Sequence, residues 1–249
     1  MLLDMLSLLT QITHSKEQET MKIKIPNSSR EISLAECQAL GQGETLQQKA
    51  ILFFDKVLKI DTAKFPMTEM IVAYNIFRDS LDKEMIPDVP KAIGKLKLPA
   101  RDNLLKLHLQ YFIEIVNCEV SIETYQGLEI LTACFYREDW NKPYDDEELL
   151  TNATWLNSQP LMYNLYGVVL MQSLFKTLRE VYPILYTNSN QTEDEEEGRK
   201  MYDMLNGLAK DDPTKWDAAR NLRLETAFAY LEEKKLDFEK KRLNLHNTK

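Results

Sequence analysis

The chain carries only 7 glycines and 3 histidines in 249 residues, where average usage puts glycine alone at about 7%. Phosphate-cradling loops and dinucleotide fingerprints need several glycines at fixed offsets ahead of a helix. Gly41-Gln42-Gly43 is the nearest approach and lacks the rest, so it reads as a helix end. His14, His108 and His246 lie far apart, and none stands in the His-x-x-x-His frame that holds zinc. Three cysteines, Cys37, Cys118 and Cys134, form an odd set with no paired spacing, which fits free thiols in a reducing compartment. No cofactor and no metal site is expected.

Charge of one sign is also short: 31 Lys and Arg stand against 39 Asp and Glu, a net −8. That balance favours solubility and disfavours non-specific contact with nucleic acid. Long apolar runs are missing as well. Met1 to Ile12 is apolar but contains Asp4, lacks a basic leader and offers no small-residue cleavage site. It is expected neither as a secretory signal nor as a membrane span, which needs about 20 apolar residues. A short amphipathic helix is the expected form, with Met21 as an alternative start.

What is present is helical patterning. The one β signal is Met21 to Leu34, where Ile23 and Ile25 alternate with Lys22 and Lys24 before a Pro26-Asn27-Ser28-Ser29 turn and a return through Ile32 and Leu34. This predicts a small hairpin. Ser33 with Glu36 and Thr45 with Gln48 are capping boxes opening helices to Gly41 and to about Ile60. Further helices are expected from Pro66 to Lys83, Asp102 to Val116, Thr124 to Tyr136, Asp146 to Asn157 and Pro160 to Tyr182. Ile86 to Pro90 reads as a linker. Thr187 to Glu197 is polar and acidic, expected as a mobile surface loop, with a short helix near Met201 to Leu208.

From Pro213 to Leu245 nothing interrupts a helix, which would run about 50 Å. Its stripe of Leu224, Phe228, Leu231, Phe238 and Leu245 thins toward the C-terminus, where Lys240, Lys241 and Arg242 stand together. Leu224, Phe228, Leu231, Phe238, Lys240, Lys241 and Arg242 are the candidate partner-binding site, with 232–249 as the handle. The expected fold is mainly α: a bundle-like body with a small N-terminal β-hairpin and a long C-terminal helix. The expected division is a segment 1–20, a body 21–186, an acidic loop 187–198 and a helical arm 199–249. No catalytic residue stands out. An enzyme built from distant residues around Cys134 or His108 is one rival reading. A nucleic-acid contact through Lys234, Lys235, Lys240, Lys241 and Arg242 is another.

Two stretches carry a resemblance. Met21-Lys22-Ile23-Lys24-Ile25-Pro26, followed by Arg30-Glu31-Ile32-Ser33-Leu34-Ala35-Glu36-Cys37, resembles the start of small accessory proteins of tailed bacteriophages. There a short hairpin runs into I-[ST]-L-x-x-[YC]-Q. The stretch from Leu224 to Lys235 is similar to the last helix of phage tail-assembly chaperones and related virion components. The resemblance implies a non-enzymatic component of a phage particle or of its assembly. It would be either a permanent virion part or a transient chaperone, found in the virion or the host cytoplasm. Its partners would be phage structural proteins or copies of itself.

Overall fold

Ser33 accepts a hydrogen bond at Oγ from the Glu36 N–H (3.3 Å), and Glu36 Oε2 accepts one from the Ser33 N–H (2.9 Å). This reciprocal cap starts helix α1, Leu34–Gly41. Thr45 and Gln48 repeat the arrangement at the start of α2, Leu46–Leu52, which widens into a π-helical turn over Phe53–Leu58. Lys59, in the left-handed region at φ 58, ends it. The computed structural model describes residues 9–11, 22–84, 88–98, 103–121, 124–186, 207–209 and 212–247. The protein is mainly α, and the chain falls into two compact units.

Unit 1 comprises residues 1–88, 120–129 and 154–165. Its core forms where α2 meets α3, Met67–Asp82, which begins just after Pro66 as the fixed proline φ favours. Phe53 and Phe54 are fully buried. Phe53 stacks on Phe77 with ring centres 4.7 Å apart, and Phe54 tilts against Phe65 at 5.2 Å. The expected hairpin differs in its partner. Strand β2, Lys22–Lys24, pairs antiparallel with β1, Leu9–Gln11, so those three residues are not the expected N-terminal helix. The Ile32–Leu34 main chain pairs elsewhere: Leu34 N–H donates to Gln159 O (3.1 Å) and Leu161 N–H donates to Ile32 O (2.8 Å). Its ladder groups are therefore used by the corner between residues 157 and 161, and β2 takes the other available neighbour.

Unit 2 comprises residues 89–119, 130–153 and 166–249. A small hairpin that the sequence did not signal, β3 (Ala92–Ile93) with β4 (Leu96–Lys97), turns at Gly94, whose φ of 55 suits glycine. Two long helices expected from propensity are both broken, and by each other. Leu109 N–H donates to Leu222 O (2.8 Å) and Leu224 N–H to Leu107 O (2.9 Å), with His108 and Arg223 paired as an antiparallel bridge. The extended backbone this demands starts α4 at Leu109, running to Asn117, instead of at Asp102. It likewise splits the C-terminal helix into Trp216–Arg220 and Leu224–Asn247. The latter, 24 residues, is about 36 Å long, well short of the 50 Å expected.

Three helices cross the sequence between the units: α5 (Leu128–Phe135), α6 (Asp146–Asn157) and α7 (Leu161–Val181). A single turn, α8 (Pro183–Tyr186), follows α7. The Trp216–Arg220 and Leu224–Asn247 segments are α9 and α10. The acidic stretch 187–197, most of the expected helix at 201–208, and residues 1–8 lie outside the described residues; 207–209 are helical.

Gly167 in α7 yields a prediction of opposite sign to the usual rule. A Cβ there would sit 2.4 Å from Thr132 Oγ1 and 3.0 Å from the Thr132 Cα and N of α5. In a free helix Gly→Ala stabilises by about 1 kcal/mol. Here Gly167→Ala should instead destabilise by about 1–3 kcal/mol through overpacking against main chain. Urea midpoints of the two chains measure it.

Candidate functional site

The apolar stripe of α10 divides into a covered and an open part. Leu224 and Phe228 are buried in unit 2, where Phe228 meets Phe112 edge-on at 5.3 Å and Tyr182 at 5.6 Å. These two are core residues and cannot meet a partner, because the body already covers them. Leu231 is half-buried. Packing on α8 continues to Lys235, whose Nζ donates to Ile184 O. The handle expected over 232–249 therefore begins later. Phe238 is 69% exposed, and Lys240 is exposed beside it. The side chains of Lys241 and Arg242 lie outside the described residues.

The candidate chemical groups are shielded. His108 is 5% exposed at the start of α4. Burial, with the Arg223 and Arg137 guanidinium groups adding to it, pulls its pKa down to about 4. It is neutral at physiological pH. Burial pushes the Cys134 and Cys37 thiols well up, so neither supplies a thiolate near neutral pH. Among the described residues no three His, Cys, Asp or Glu side chains are grouped to hold a metal ion. No helix among them is long and apolar enough to cross a membrane.

The depressed His108 pKa has a signed consequence. Between its ordinary 6.5 and about 4, the unfolded chain binds a proton that the folded chain does not. Stability must therefore fall as pH falls through that window, by about 3 kcal/mol at its lower end. A His108→Gln chain should lose this component, so the difference between its urea stability and that of the parent should shrink from pH 7 to pH 4.

A more ordered constellation escaped the sequence reading. Arg137, directly after the buried run ending at Tyr136, is 1% exposed. Its Nη2 meets Glu148 Oε2 at 2.6 Å and donates to Pro143 O (3.0 Å), while Nη1 donates to Lys142 O (3.1 Å). The guanidinium lies over the Tyr111 ring (4.8 Å) and near Trp140 (5.7 Å). Trp140 Nε1 donates to Lys97 O (2.7 Å), and Arg223 holds the Trp140 carbonyl (3.2 Å). Tyr144 completes the cage, edge-on to Tyr111 at 4.8 Å, with its N–H donating to Asn221 Oδ1 (2.9 Å).

Each donor of this guanidinium that points at the 137–145 loop binds a main-chain carbonyl or the carboxylate that opens into α6. The arrangement fixes the course of that loop. Burial raises the Tyr111 and Tyr144 pKa values, so both phenols stay protonated and offer no charge for catalysis. Its sequence signal is slight: one arginine after an apolar helix, then Trp140, Pro143 and Tyr144 in close succession. A comparison with protein-family models, with curated proteins and with solved structures finds no match to this chain.

Proposed function

We propose that this protein is a non-enzymatic interaction component, docking another protein chain through the end of α10. The observation that carries this reading is Phe238. A large aromatic side chain is 69% exposed on a helix whose stripe is buried at Leu224 and Phe228 and half-buried at Leu231, and such residues are favoured anchors at interfaces. The basic run Lys240, Lys241 and Arg242 follows it in the sequence. The fitting partner is an amphipathic helix with acidic residues beside its apolar stripe, paired helix to helix. The resemblance of both chain ends to phage accessory and tail-assembly proteins supports placing that contact in a tailed-phage particle or its assembly. Partners would then be phage structural proteins or further copies of this chain.

The test is a chain ending at Asp237. Since packing on α8 runs to Lys235, the shortened protein should keep its far-ultraviolet dichroism and its unfolding midpoint. Affinity capture from producing cells, read by mass spectrometry, should lose at least one protein that the full chain retains. An unchanged set of captured proteins would refute the reading. Presence in purified particles would distinguish a virion part from a transient chaperone.

A further inference from the structure

Two exposed apolar side chains in unit 2 stand beside charges of opposite sign. Leu150, on α6, is 59% exposed, and Phe238, on α10, is 69% exposed, so the two do not cover each other within one copy. Leu150 belongs to a solvent-facing stripe of Glu147, Leu150, Thr151 and Thr154, at the three- and four-residue spacing of one helix face. Asp146 and Glu147, both exposed, stand four and three residues before it. Asp146 accepts from the Tyr144 hydroxyl, and neither carboxylate is in an ion pair among the described residues. Their neighbours are committed: Asp145 caps the N–H groups of Glu147 and Glu148, and Glu148 holds Arg137.

Along α10 the order is reversed. Lys241 and Arg242 come three and four residues after Phe238 and share its face by helical register. Asp237 and Glu239 fall about 100° to either side of that face. The spacings on the two helices match, at about 4.5 and 6 Å along each axis. Laid antiparallel with Phe238 against Leu150, the helices bring Lys241 to Glu147 and Arg242 to Asp146. A parallel arrangement would instead set the carboxylates against Lys234 and Lys235, where α8 already packs.

We propose that the end of α10 docks on the solvent-facing stripe of α6 in a second copy of this chain. The inference rests on the reading of the α10 end as a contact surface, and it names the occupant. An aromatic anchor followed by cations selects an apolar side chain preceded by carboxylates, and charge of the right sign at the right offset sets the register. The two surfaces are different patches, so the contact is heterologous: each copy offers one of each, and copies add head to tail. One apolar pair with two ion pairs at its rim makes a small interface, which places association at about 10–100 µM.

Sedimentation velocity of the full chain tests this, from about 5 to 500 µM at about 50 mM salt. The weight-average sedimentation coefficient should rise with concentration, and the rise should shrink at about 500 mM salt. Leu150→Asp and Glu147→Lys, each with an unfolding midpoint like the parent's, should each weaken association by about tenfold or more. Lys241→Glu should do the same. It lies beyond the packing on α8, so it remains informative if an α6 variant unfolds. An equimolar mixture of the Glu147→Lys and Lys241→Glu chains should associate where neither does alone, because each then finds opposite charge on the other. A chain that stays monomeric across the whole range overturns the proposal. So does association that the α6 variants leave unchanged, or a mixture whose members stay apart. A monomeric chain that still loses a captured protein when it ends at Asp237 refutes only the second copy as partner, and leaves the α10 contact standing.

Discussion

Glu148→Ala is expected to destabilise the protein by about 3–5 kcal/mol, because it strands a charge that water cannot reach. Arg137 is 1% exposed, and Glu148 is the carboxylate that neutralises it at 2.6 Å. Two carbonyl acceptors, at Lys142 and Pro143, would remain. They satisfy N–H groups and do not cancel a full positive charge. Removing both ends of the pair, as Arg137→Met with Glu148→Leu, should recover part of the loss, since well-packed apolar substitutes for buried ion pairs are often neutral. Recovery should stop short of the parent, as the two loop carbonyls would then lack donors. Urea unfolding of the single and double variants gives both numbers, and a single-variant loss below about 1 kcal/mol would mean that the guanidinium is solvated after all.

Phe53→Ala is expected to cost a similar amount, about 3–5 kcal/mol, by a different route. The ring is fully buried between Phe54, Tyr74 and Phe77, with Phe77 stacked on it at 4.7 Å. Truncation removes its dispersion contacts and leaves a cavity whose aromatic walls cannot collapse without breaking their own packing. Phe53→Leu should cost much less, because most of the volume is kept. Equal losses for the two would show that the cavity closes, leaving only the transfer of the ring to account for the cost.

These expectations rest on features of unequal legibility in the sequence. The capping boxes at Ser33 and Thr45, and the helix boundaries near Met67, Asp146 and Leu161, were readable because each is set within a few residues. The breaks at Leu107–Leu109 and Leu222–Leu224 were not. They arise from main-chain pairing between segments more than a hundred residues apart, and propensity carries no trace of it. The partner of Lys22–Lys24 was missed for a different reason: Leu9–Gln11 lies only about a dozen residues upstream, but in an apolar run whose spacing reads as a helix. Along α10 the apolar period was legible, but a period does not say what covers it. Leu224 and Phe228 face the interior while Phe238, on the same stripe, faces water. Arg137 was hidden because its type predicts exposure, and only the carbonyls and rings assembled around it reverse that.

The surface role of the C-terminal helix is tested most directly by Phe238→Asp. The residue is exposed, so the change should leave the unfolding midpoint within about 0.5 kcal/mol of the parent. Side-by-side affinity capture of the two full-length chains should then show at least one protein held by the parent and released by the variant. Identical captured sets, in identical amounts, would contradict it.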